Sequence, residues 1–102
     1  MKYQLVLQWP SESGLDYDGL VKTEELLSEG LPGSAEIDGH DIGQEEMNIF
    51  ILTSQPVDCF ESVKSLLGKQ HAWEDLRAAY REVSGTRYTI LWPNGLNEFR
   101  VG

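Results

Sequence analysis

The sequence predicts an α+β fold of the order β-α-β-β-α-(β)-β, with two helices packed on one face of an antiparallel sheet. Three observations predict it. Apolar and polar residues alternate along Tyr3–Trp9 and again along Tyr88–Trp92, the period of strands. Ile49-Phe50-Ile51-Leu52 is an unbroken apolar run of β-formers. Between these, Asp16–Leu31 and Pro56–Leu67 switch to helical spacing. With 102 residues, of which 40% are hydrophobic and 25% charged, residues 1–102 form a single domain large enough for one core.

Each element follows from local chemistry. In the first strand Tyr3, Leu5, Leu7 and Trp9 share one face, and Lys2, Gln4, Val6 and Gln8 share a face expected to be wet. Pro10 ends the ladder, having no N–H to give it, and Ser11-Glu12-Ser13-Gly14 turns the chain. Tyr17, Leu20, Val21, Leu27 and Leu31 form the apolar stripe of the first helix, with Asp16 or Asp18 as its cap and Gly30 with Pro32-Gly33 as its stop. Ser34–Asp41 is short, charged and glycine-containing, which suits an edge strand. Glu46–Thr53, apolar on both faces at its centre, suits a central strand. Pro56 and Asp58 open the second helix, Phe60, Val63, Leu66 and Leu67 form its stripe, and Gly68 closes it.

Residues 73–83 support two readings. Trp73, Leu76, Tyr80 and Val83 fit a helix, whereas Tyr80–Val83, the Ser84-Gly85 turn and Arg87–Trp92 fit a hairpin. The preferred one is a helical turn at Trp73–Leu76 followed by the hairpin. After Pro93-Asn94-Gly95 the tail is expected to add a little extended structure. Tyr3–Pro10 and Tyr88–Pro93 both end Trp-Pro, as two strands finishing at one rim of a sheet would.

Over roughly residues 2–93 this order resembles the ferredoxin-like, split β-α-β arrangement. The resemblance is to a fold that hosts many functions, so it implies an architecture and no activity. RNA-recognition domains share the order, but they need a basic surface and stacking aromatics, here confined to Tyr3 and Phe50. One cysteine, Cys59, excludes an intrachain disulfide and the paired-cysteine motif of metal chaperones. No phosphate-binding glycine loop or nucleophile-elbow serine occurs. The N-terminus runs straight into a strand pattern without a secretory signal, and no apolar run is long enough for a bilayer; the expected location is cytoplasmic.

Charge is the feature that bears on partners. Eleven of the seventeen acids lie between Glu12 and Glu46, opposed there only by Lys22, while the remainder of the chain is near neutral; the total is −9. In the split arrangement the first helix and second strand lie on one side of the sheet. Their outward acids, Asp18, Glu24, Glu25, Glu29, Glu36, Asp38, Asp41, Glu45 and Glu46, are therefore expected to merge into one surface. Such a patch attracts basic proteins and repels nucleic acid and anionic lipid. The candidate partner-binding residues are Glu25, Glu29, Glu36, Asp38, His40, Asp41, Glu45 and Glu46. The bland alternative is a solvated face that keeps a small protein soluble.

Other constellations read more weakly. Asp38, His40, Asp41 and Glu45 or Glu46 offer metal-ligand atoms, but their spacing matches neither an EF-hand nor a zinc site; a hairpin loop with a solvent histidine is the simpler reading. Cys59, near a helix start, would gain thiolate character from the dipole and with His40 or His71 would make a nucleophilic pair, whereas a cysteine beside Phe60 is usually a small buried hydrophobe. Trp9, Trp73 and Trp92 suit the edge of the core better than an exposed rim. No catalytic residue, metal or cofactor is assigned.

In size, acidity and single-domain organisation the chain resembles the small bacterial immunity proteins that inhibit cognate toxins, a likeness of type without a shared motif. It implies a non-enzymatic protein that docks on or neutralises a basic protein. The alternative is a small enzyme or ligand-binding domain formed by a dimer, the open sheet faces pairing through Val6 and Ile49 or Phe50. A third is a subunit docked into an assembly by the tail after Pro93. Monomer and homodimer both remain open at this level.

Overall fold

In the computed structural model, which describes residues 2–101, the alternation of the first strand becomes a division between two cores. Strand β1 (Tyr3–Pro10) sends Leu5, Leu7 and Trp9 into the main core and Val6 into a second, smaller one on the opposite face. It leads through α1 (Tyr17–Gly30) to β2 (Ala35–Ile42) and β3 (Glu46–Thr53). Helix α2 (Pro56–Leu67) and a 3-10 turn (His71–Trp73) follow, and β4 (Arg77–Glu82) and β5 (Thr89–Trp92) complete the sheet. Its order is β2-β3-β1-β4-β5 with every neighbouring pair antiparallel, consistent with a ferredoxin-like arrangement extended by one strand. No helix among the described residues is long and apolar enough to cross a membrane.

Helix α1 starts where Asp16 accepts a hydrogen bond from the Gly19 backbone N–H at 2.8 Å. Leu20, Thr23 and Leu27 are its buried face, and the Thr23 hydroxyl returns to the Gly19 carbonyl at 2.7 Å. Tyr17, expected in the stripe, is exposed instead, because it flanks the sheet edge rather than pointing at it. Gly30 allows the helices to meet: a Cβ there would lie 2.6 Å from Cδ2 of Leu66 on α2. Helix α2 has Pro56 in its first turn and Cys59, Phe60, Val63 and Leu67 buried. Both helices close over Leu5, Leu7, Trp9, Ile49 and Ile51, each side chain contributing roughly 1.5–3 kcal/mol when fully buried.

The opposite face departs from expectation. Val6 and Gln8 are buried, not wet, because the tail after Pro93 folds back across the sheet. Phe99 packs against Val6 and Ala79, with its ring centroid 5.0 Å from that of Tyr88, and Leu96 and Val101 pack beside them. The described residues of the tail form no strand. The residues expected to be open for pairing are therefore closed: Val6 lies in the second core, Ile49 lies in the main core, and Phe50 is half-buried against the second core. Tyr3 is likewise half-buried, edge-on to Tyr80.

The hairpin reading of the later residues holds, with β4 starting earlier than Tyr80. Register sets Arg77, Ala78 and Ala79 opposite Gln8, Leu7 and Val6. Two small side chains suit this strand, since Ala78 lies under the main core and Ala79 under the tail. Strands β1 and β5 run in the same direction, so Trp9 and Trp92 finish at one rim. Trp9 is buried and its indole N–H donates to the Ala72 carbonyl at 2.6 Å. Trp73 stacks on Phe60 and tilts against Trp92. All three tryptophans thus serve packing at that rim.

Candidate functional site

The acids of α1 and β2 do not form one face. Asp18, Glu25 and Glu29 recur at helical spacing on the exposed crest of α1, away from the sheet. Glu24 turns toward β2, where its Oε2 lies 3.0 Å from Nδ1 of His40. The His40 ring meets the edge of Tyr17 with centroids 6.1 Å apart. His40 and Ile42 sit opposite Ile49 and Met47, on the helix side of the sheet. Glu36 and Asp41 sit opposite Leu52 and Asn48, on the other side.

The cause is the register of β2. Between Ile37 and Gly39 the pairing shifts by one residue, leaving Asp38 as a bulge and Gly39 at φ 119°. The bulge moves His40 onto the helix side and Asp41 onto the other. The acids of β2 therefore flank its free long edge, which pairs with β3 on one side and has no strand beyond it on the other. Among the described residues the ion pairs are His40–Glu24, His71–Glu74 and Arg100–Glu98, so none engages Glu25, Glu29, Glu36, Asp38 or Asp41.

Glu45 and Glu46 belong to a different place. Glu46 is half-buried and accepts a hydrogen bond from Gln8 Nε2, so it is not part of the outward acid set expected of it. Glu45 is exposed at the turn into β3. Both line an open cleft of about 560 Å³ at the Pro10 end of β1, with Gln8, Ser11, Glu12, Arg77, Glu98 and Arg100. Gln8 Nε2 also donates to Asn48 Oδ1 at 3.1 Å and to the Arg100 carbonyl at 2.7 Å. Sequence reasoning missed this cleft. Gln8, Arg77 and Arg100 carry no local motif, and only the pairing of β1 with β4 and the return of the tail bring them together.

The remaining candidates resolve simply. Among the described residues no three His, Cys, Asp or Glu side chains converge to hold a metal ion. Cys59 is buried, and that burial pushes its thiol up to about 11, only partly offset by a side-chain hydrogen bond with Thr53. The expected lowering by the helix start is outweighed by loss of solvent, and its side-chain partner is a threonine, not His40 or His71. Compared with protein-family models, curated proteins and solved structures, the chain matches none.

Proposed function

We propose that this chain is a small, non-enzymatic binding protein that docks a basic protein partner along the free edge of β2, in the manner of an immunity or inhibitor protein. One observation carries the reading. Glu36, Asp38 and Asp41 line an unpaired sheet edge and Glu25 and Glu29 lie on the crest of the helix packed beside that strand, all exposed and outside every ion pair of the described residues. Charge of one sign raises the encounter rate with a partner of the other sign. The bulge and the acids also keep like edges from pairing with each other, which leaves selection of a partner to charge. Exposed Tyr17 and Ile42, bracketing His40 beside this edge, supply apolar anchor area within the acidic surround.

A dimer through the second face is less favoured, since Phe99 and Val101 of the same chain already occupy it. The test is affinity capture at low and high salt with the native chain and with E25Q/E29Q/E36Q/D38N/D41N, followed by titration of the captured protein. The expected result is a basic partner held by the native chain, weakened by salt and weakened at least about tenfold by the five substitutions. Equal binding by both forms would sink the reading.

A further inference from the structure

The cleft at the Pro10 end of the sheet holds chemistry that the acidic edge leaves unused. Its floor is Gln8 and Arg77, opposite each other across β1 and β4. Ser11, Glu12 and Glu45 come from two neighbouring turns, Glu46 from the first position of β3, and Glu98 and Arg100 from the tail. The two arginines differ. Arg100 is exposed and engages Glu98 through both Nε and Nη2. Arg77 is half-buried and makes no ion pair among the described residues, and its Nε is shut off from solvent without an acceptor.

A second donor lies in the same row, behind the cleft and not in its lining. Asn48, fully buried and opposite Gln8 on its other side, leaves Nδ2 without an acceptor. Each unmade bond of this kind leaves a desolvated donor uncompensated. A guanidinium facing a cleft matches the planar pair of oxygens of a carboxylate. The nearby carboxylates limit what else the ligand can be. Glu12, Glu45 and Glu98 repel a polyanion and favour a ligand that brings a cation with its carboxylate. The cleft volume falls within the range of roughly 300–1,000 Å³ usual for small-molecule sites.

From this geometry we infer that the cleft binds a zwitterion, its carboxylate on Arg77 and its ammonium between Glu12 and Glu45. Free amino acids and the lysine-terminated end of a peptide both present that chemistry. This inference is independent of the docking edge, since it uses neither α1 nor the free side of β2.

The test is titration of the native chain at millimolar concentrations with glycine, leucine, lysine and glutamate, with their carboxamides, and with acetyl-diglycyl-lysine, read by amide NMR shifts. Saturable shifts at Gln8, Arg77 and Glu45 are expected, weakened at least about tenfold in the carboxamides and in R77Q. Shifts from free amino acids alone assign the site to a metabolite, and shifts from the acetylated peptide alone assign it to a chain terminus. No shift from any acid, or equal shifts from acid and carboxamide, overturns the inference. The carboxamide comparison uses the native chain, so it decides even if R77Q fails to fold.

Discussion

Gln8 donates from Nε2 to the carbonyl oxygen of Arg100 at 2.7 Å, so a central strand near the start of the sequence holds the tail in place. The same nitrogen reaches Glu46 and Asn48, sharing its two hydrogens among three acceptors. The polar row at one end and Phe99 at the other fix the tail across the sheet.

Phe99→Ala should therefore destabilise the whole fold, not merely loosen the tail. Phe99 is 9% exposed and covers Val6 and Ala79, so the loss should be about 2–4 kcal/mol. Urea denaturation measures it, and binding of an apolar dye should rise as the second face opens. A loss below about 0.5 kcal/mol would mean the tail contributes nothing to packing.

Gly39→Ala should cost about 1–3 kcal/mol, because the φ of 119° is one that side chains rarely adopt. Space is not the cause, since a Cβ at Gly39 would meet nothing within 4 Å. Gly33→Ala is the matched control: it too has open space but no positive φ, and it should fall within about 0.5 kcal/mol of the native chain. Equal thermal midpoints for the two variants would contradict the bulge geometry.

Asp16→Ala should cost about 1 kcal/mol by removing the cap on the Gly19 N–H. Hydrogen exchange at Gly19 should accelerate more than at Leu27, deeper in the helix. Uniform acceleration would place the effect elsewhere.

Cys59 should resist alkylation at pH 8 until urea unfolds the chain, because its folded thiol ionises near 11 and not near the ordinary 9.0. The sign of the linked stability follows. Above pH 9 the unfolded chain releases the proton first, so stability falls as pH rises from 9 toward 11 and is unaffected by this group below 9. Cys59→Ala should flatten that part of the pH–stability curve. Rapid labelling of the native chain at pH 8 would refute the burial argument.

Element type was legible in the sequence wherever one residue pattern answers to one neighbour. The two helices, their cap at Asp16 and the closure at Gly68 follow from local spacing and capping. The hairpin after the 3-10 turn was readable from its turn, though not its start, because Ala78 and Ala79 have no strand preference until Leu7 and Val6 lie beside them. What stayed hidden depends on distant chain. Val6 and Gln8 look like a wet face until Phe99 and Arg100 return over them. The acids look like one patch until the Asp38 bulge divides β2 between two sides of the sheet. The cleft around Arg77 was illegible for the same reason.

The position of β1 also has a consequence for synthesis. This strand sits at the centre of the sheet, and its partners are β3 (Glu46–Thr53) and β4 (Arg77–Glu82), with the closing bond to Arg100 spanning 92 residues. Nothing near it in sequence can complete it. The first strand therefore acquires both neighbours only once β4, through Glu82, has left the ribosome, so folding is expected to be limited by closure of long loops.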